Sequence, residues 1–258
     1  MTAADHLLRR YLRQRRELGE HELVLDDLTP DLLVDALRVA RPDSGPASDP
    51  DRADAAVECA AGATAPGPTV PELVQIGGLD ELRNIALGCP LCRLSETRNH
   101  VVFGEGNPAA DLVVVGEAPG ADEDRTGRPF VGRAGKLLDL LLASVGFPRE
   151  SVYICNVLKC RPPGNRNPQP DEIAACSPYL ARQLELVAPR AILAVGTFPA
   201  QTLLSSTSPI GRLRGAAHDY QGTPLVATYH PAAVLRNPGW IRPVWEDLQR
   251  LRGILDRA

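Results

Sequence analysis

Cysteines, a carboxylate-rich turn, a strand-end asparagine and a loop histidine are the side chains here with the most chemistry in them. Cys89 and Cys92 form a C-x2-C pair, a spacing that lets both thiolates reach one metal centre. Cys160 follows in Lys159-Cys160-Arg161-Pro162-Pro163, and Cys176 lies 16 residues further on. Four such thiolates hold zinc or an iron–sulfur cluster, and spacing does not separate the two. Cys59 reads as a stray thiol in a linker and Cys155 as a core residue of a strand. The second group of residues is of another kind. The turn Gly116-Glu117-Ala118-Pro119-Gly120 is followed by the acids Asp122, Glu123 and Asp124, and then by an aromatic between turn formers, Pro129-Phe130-Val131-Gly132. Asn156 ends the apolar run VYICN, and His230 precedes Pro231, a loop position rather than a core one. The basic loop Arg161 to Pro168, with Lys159, Arg128, Arg133 and Arg236, offers contacts to phosphates.

The elements around these residues explain why they should meet. Leu112 to Val115 is a short β-branched run bounded by charge and glycine, the mark of a buried strand. Helical spacing of Leu137, Leu138, Leu141 and Val145 follows the acidic turn. A strand end thus delivers carboxylates and one ring to a loop ahead of a helix N-terminus, where open α/β sheets bind ligands and where backbone N–H groups receive anions. The pattern predicts strands at 111–116, 151–157, 190–195 and 224–229, and helices at 79–88, 134–146, 170–187, 197–205 and 240–257. Alternating strands and helices argue a mostly parallel sheet covered on both faces.

Length and composition set the outer limits. The 258 residues are 44% hydrophobic and 23% charged, ordinary for a globular protein, and have room for one large domain with an appendage. The appendage should be the front of the chain. Residues 1–39 read as a short helical extension, with helices near 5–19 and from Thr29-Pro30 onward. Residues 40–75 are rich in Ala, Pro and Asp, too poor in large apolar side chains to order themselves, and read as a disordered linker. Residues 76–258 read as the compact domain that carries the chemical candidates. The net charge of −4 is uneven: −7 over residues 1–88 and +3 over 89–258, so a nucleic-acid surface on the back part is compatible with the acidic total. No apolar run is long enough to span a membrane, and no secretory signal opens the chain, so a cytoplasmic setting is expected, where clustered cysteines bind metal more often than they form disulfides. Gly135-Lys136 lacks the earlier glycine and the following Ser/Thr of a phosphate loop, and Gly104-x-Gly106 is too short for a dinucleotide fingerprint; no nucleotide cofactor is expected.

Four motifs in order, a C-x2-C before VVFGEGNP, GEAPGADEDRTGRPFVGRAGKLL, NVLKCRPPGNRNP and HPAAVLRNP, resemble the family 4, iron–sulfur type of uracil-DNA glycosylase over residues 80–257. The resemblance implies a three-layer α/β/α sandwich around a four-stranded parallel sheet. It implies a structural [4Fe–4S] cluster on Cys89, Cys92, Cys160 and Cys176. It also implies an enzyme that flips uracil out of single- or double-stranded DNA and hydrolyses its glycosidic bond. Glu117 and Ala118 would line the pocket, Phe130 stack on the base, Asn156 hydrogen-bond its edge, and His230 donate to uracil O2. Leu235 and Arg236 would enter the duplex, with Lys159, Arg161 and Arg166 near its phosphates. Glu117 or Glu123 would orient the water. Gly120 leaves room near the ring, so a shifted preference for deaminated purines is one alternative. A non-enzymatic Fe–S nucleic-acid binder is the other. The family resemblance favours a monomer, with the N-terminal extension as a candidate attachment for a replication or repair protein.

Overall fold

The structure, a computed structural model, describes Leu73 and residues 75–257. The helices expected near 5–19 and after Thr29, and the expected linker at 40–75 apart from Leu73 and Gln75, lie outside those residues; Leu73 is buried in a cluster with Ile76 and Leu82. Four strands form the centre of the sheet: β2 (Leu112–Gly116), β3 (Tyr153–Asn156), β4 (Ala191–Val195) and β6 (Thr223–Thr228). They run parallel in the order β3-β2-β4-β6. Two short antiparallel strands, β1 (Glu105–Gly106) beside β3 and β5 (Ala217–Tyr220) beside β6, extend it to six. The sequence pattern missed both edges. β1 is two residues with no apolar signal, and β5 is never fully buried. The hairpin joining β5 to β6 turns through Gln221 and Gly222, both at positive φ (50° and 88°), a pairing typical of the tight turns that match strand twist.

Alternation along the strands divides the core. Val113, Val115, Ile192, Ala194, Leu225 and Ala227 face one layer, which receives α4 (Pro170–Val187) and α5 (Thr197–Leu204) through Leu180, Leu184, Ala200 and Leu203. Leu112, Val114, Leu193 and Val226 face the other, covered by α3 (Arg133–Ala143) and α8 (Ile241–Leu255). α8 turns Val244, Leu248, Leu251 and Leu255 inward, spaced as one helical stripe. The helix α1 (Leu79–Leu87) packs Leu82 and Ala86 near Tyr179 of α4. Among the described residues no helix is long and apolar enough to cross a membrane.

The functional consequence lies in the strand order. From β2 the chain goes outward to β3, then crosses back to β4 on the other side. The carboxyl ends of β2 and β4 therefore flank a topological switch point, with the end of β3 beside it. This is the crevice in which open α/β sheets take ligands.

Candidate active site

Gly116, Asn156 and Phe130 meet at that crevice because one of them has no side chain. Gly116 and Asn156 are register partners at the ends of β2 and β3. A Cβ on Gly116 would lie 2.3 Å from Asn156 Oδ1 and 2.5 Å from Phe130 Cζ. Phe130 itself has φ 51°, a left-handed conformation unusual for a bulky residue and the kind of local strain found at functional sites. Three devices hold it there. Gly135, in the first turn of α3, lets the Phe130 carbonyl approach where a Cβ would stand only 1.9 Å from its oxygen. The Arg149 guanidinium donates to the carbonyls of Pro129 (2.6 Å) and Phe130 (3.2 Å), and is itself held by Glu105 and Asp139. Glu123 accepts from the N–H groups of Val131 and Gly132, both at 2.9 Å. Sequence reasoning missed Arg149, which sits between a proline and a glutamate with no motif around it.

His230 arrives from the end of β6, as the N-cap of the short helix α7 (Pro231–Arg236). Its ring lies 5.7 Å from that of Phe130, with planes inclined by 28°. Gly196, at φ 107° after β4, passes under it, where a Cβ would stand 3.3 Å from His230 Cβ. Nδ1 accepts the Ala232 N–H at 3.1 Å, so the ring proton sits on Nε2. Burial, with a smaller contribution from the Arg236 charge, pushes the imidazole pKa down to about 4, so the ring is neutral at physiological pH. The result is a neutral donor with one fixed tautomer.

Asn156 is 1% exposed, and its Oδ1 is buried without a hydrogen-bond partner. A buried amide oxygen left unpaired costs about 1–3 kcal/mol, and native proteins seldom tolerate it outside a site that a ligand completes.

The acids divide sharply. Glu117 is partly buried at the end of β2, and burial alone pushes its pKa up to about 7. Glu123 is differently placed. Besides Val131 and Gly132 it accepts from the Gly120 N–H (3.1 Å), closing the first turn of α2 (Ala121–Thr126). Its carboxylate thus cements the loop through three backbone donors. Gly120 gives room to that carboxylate rather than to a ligand, since a Cβ there would lie 2.7 Å from Glu123 Oε2. Asp124 is buried and accepts from the Asn99 backbone N–H at 2.9 Å. Ala118 is partly buried and packs against the core beneath the loop.

Among the basic residues, Lys159 is only 2% exposed and cannot reach a phosphate. The strand end carries it inward, where Nζ donates to the backbone carbonyl of Asn156 (2.6 Å) and to Gln183 Oε1 (2.5 Å). Arg166 is held in a fork by the buried Glu172 (2.9 and 2.5 Å), so it orders its own loop. Arg128 is engaged by Glu105, and Arg161 donates to Asn165 Oδ1 at 2.8 Å. Arg133 and Arg236 are exposed, with no ion pair among the described residues, and Leu235 is partly exposed beside Arg236.

Cys89, Cys92, Cys160 and Cys176 line a single cavity together with Arg98, Lys159 and Tyr179. Among the described residues no three metal-ligating side chains converge on a point that would hold one ion. The four thiols share the lining of that one cavity. Arg98 donates to Cys160 Sγ (3.4 Å) and the Cys89 carbonyl (2.8 Å), and the Lys159 N–H donates to Cys176 Sγ (3.3 Å). Burial raises the Cys92, Cys160 and Cys176 thiols, the last to about 12, so a bound metal would have to displace their protons. The Tyr179 hydroxyl, also lining the cavity, is buried among the thiols, beside Cys89. The residues present therefore fit an anionic, thiolate-ligated cluster.

A doubly wound α/β domain whose switch-point crevice brings together an aromatic ring, an unpaired amide oxygen and a neutral imidazole defines a class: an open α/β protein with its candidate site at the carboxyl ends of the strands. Comparison with known proteins narrows it. The profile of the uracil DNA glycosylase superfamily matches residues 103–249. A type-4 uracil-DNA glycosylase of Archaeoglobus fulgidus is 46% identical over 168 residues, 62% of this chain and 84% of that protein. One from Thermotoga maritima is 44% identical over 173 residues, 66% of this chain and 90% of that protein. A type-5 uracil-DNA glycosylase of Pyrobaculum aerophilum is 34% identical over 151 residues, covering 52% and 66%. The chain belongs to the uracil DNA glycosylase superfamily.

Proposed function

We propose that this protein excises uracil from DNA, releasing the free base and leaving an abasic site. The observation that carries the reading is the buried, unpaired Asn156 Oδ1 beside the Phe130 ring and the His230 donor. A base within a duplex is out of reach and must be flipped, at a cost of a few kcal/mol. Stacking on Phe130 offsets part of this, by about 1–3 kcal/mol. Asn156 Oδ1 accepts uracil N3–H while its amide donates to O4. Cytosine presents the reverse pattern and would leave buried groups unpaired.

In the reaction the C1′–N1 bond breaks and its electron pair passes into the uracil ring. His230 Nε2–H donates to O2 as negative charge grows there, a contact stronger in the transition state than in the ground state. Water adds to C1′, and its proton passes to Glu117. Glu123 is fully engaged by backbone donors, so Glu117 is the carboxylate left to take this role. The two preferences of the site agree: a neutral His and a Glu titrating near neutrality act together above pH 7. With Glu123 filling the space beside Gly120, nothing favours the deaminated-purine alternative. A mere nucleic-acid binder would not require Asn156, Phe130 and His230 in one crevice.

Cys89, Cys92, Cys160 and Cys176 would hold a [4Fe–4S] cluster, and their thiolates would then tie α4, the strand-end loop and the turn after α1 together. Arg133 and Arg236, exposed, and Leu235, partly exposed, are the residues available to the DNA, and a cytoplasmic setting fits this reading.

A uracil-containing oligonucleotide, single- and double-stranded, should be cut at abasic sites after incubation, while hypoxanthine and normal DNA should not. Absence of uracil release from both uracil substrates would refute the reading. The purified protein should be brown and contain iron and sulfide; a colourless protein with stoichiometric zinc would overturn the cluster. In single-turnover assays the rate should rise with pH through an inflection near 7, where Glu117 ionises. No limb should arise from His230 above about pH 4. Glu117→Gln should lower the plateau and flatten the rise; a Gln variant with the same inflection would move that titration elsewhere.

A further inference from the structure

Lys159 lies between the cysteine cavity and the base pocket, and neither its burial nor its charge is explained by either alone. It is 2% exposed, yet among the described residues no carboxylate pairs with it. Its ammonium faces two neutral oxygens, those of the Asn156 backbone and of Gln183. Gln183 is itself fixed by donating to the Phe103 carbonyl (2.8 Å) and the Tyr153 hydroxyl (3.1 Å). A buried ammonium without a counter-charge is strongly unfavourable. The anion that would balance it belongs in the cavity that Lys159 helps to line, where its backbone N–H meets Cys176 Sγ and its charge acts on the Cys176 thiol through space. Arg98 repeats the pattern, facing Cys160 Sγ with no carboxylate partner among the described residues.

The other end of the side chain bears on recognition. Pairing between β2 and the chain after β3 continues through Val157 N–H to the Gly116 carbonyl and Leu158 N–H to the Glu117 carbonyl. The Asn156 carbonyl turns the other way and is taken by Lys159 Nζ. That bond fixes the peptide plane at the residue whose amide meets the base.

We propose that Lys159 couples the two sites: its charge neutralises the cluster ligands in the cysteine cavity, and its Nζ–H holds the Asn156 carbonyl so that the recognition amide stays in place. Lys159 is a positioning residue in this scheme, and the scheme rests on the cluster reading above. It makes base recognition depend on the cluster without any chemistry at iron.

Two variants separate the roles in the holoprotein. Lys159→Met removes charge and donor at similar length, whereas Lys159→Gln keeps a neutral donor. Potentiometric titration followed by electron paramagnetic resonance should find the cluster potential shifted to more negative values in both, because positive charge beside the cluster is lost. Single-turnover uracil release should slow about tenfold in the Met variant, with a smaller change in KM, and recover in the Gln variant. An unchanged potential in both overturns the counter-ion role. A Met variant as fast as the parent, or a Gln variant as slow as the Met one, overturns the positioning role. If Lys159→Met does not fold, Lys159→Gln still decides both roles: it should release uracil at near the parental rate with a shifted potential, a parental potential would overturn the counter-ion role, and a tenfold slower release would overturn the positioning role. Iron analysis of the parent keeps the two readings apart, since a parent without iron refutes the cluster itself, while an iron-loaded parent whose variants keep its potential refutes this coupling.

Discussion

His230→Ala should lower single-turnover uracil release about 10²–10³-fold while leaving affinity for uracil-free DNA nearly unchanged. The size follows from the imidazole's arrangement. Its Nδ1 is committed to the Ala232 N–H, so the only proton is on Nε2, and burial keeps the ring neutral. A donor already oriented in a partly buried pocket needs no reorganisation when charge develops on O2, and one such donor is typically worth about 2.7–4 kcal/mol. The ground-state carbonyl gains less, so the loss should fall on the chemical step rather than on binding. A variant that excises at the parental rate would remove His230 from the mechanism. One that loses DNA binding in proportion would make it a packing residue beneath α7.

Asn156→Leu should lower uracil release by about 10²–10³-fold and yet leave the protein as stable as the parent, or more so. The two effects have one cause. Oδ1 is buried without a partner, so the folded protein carries an unmet desolvation cost that an apolar side chain of similar size removes. The bound base would then carry the penalty instead, with N3–H and O4 buried against a methyl group. Thermal unfolding and single-turnover release on one preparation test both halves. Parental activity would mean that Asn156 does not read the base. A large loss of stability would mean that the amide has a structural partner.

The order of strands and helices was legible because a central parallel strand is apolar on both faces: LVVV, YIC, AILAV and LVA stand out from any turn chemistry. The edge strands were not, since a two-residue strand and one that is never fully buried impose no such run. The four cysteines were legible from spacing and motif, and the structure gathers them around one cavity. Charge was the least legible property. Lys159, Arg128 and Arg166 read as phosphate contacts, yet one is buried and the others are engaged by carboxylates. A cation's partner is found through space, and neither Glu105 for Arg128 nor Gln183 for Lys159 can be inferred from neighbours in the chain.

The sequence by itself determined the kind of domain and the chemical types at its strand ends, because hydrophobic period, glycine positions and residue chemistry are local properties. Only the tertiary structure distinguishes the surroundings of the two candidate acids. Glu117 and Glu123 are alike as residues and six apart. One is partly buried at a strand end with its pKa raised to about 7, while the other accepts three backbone N–H groups from two separate turns. Solvation and donor geometry are set by what folding brings against a side chain, and that separates the candidate base from the loop's cement.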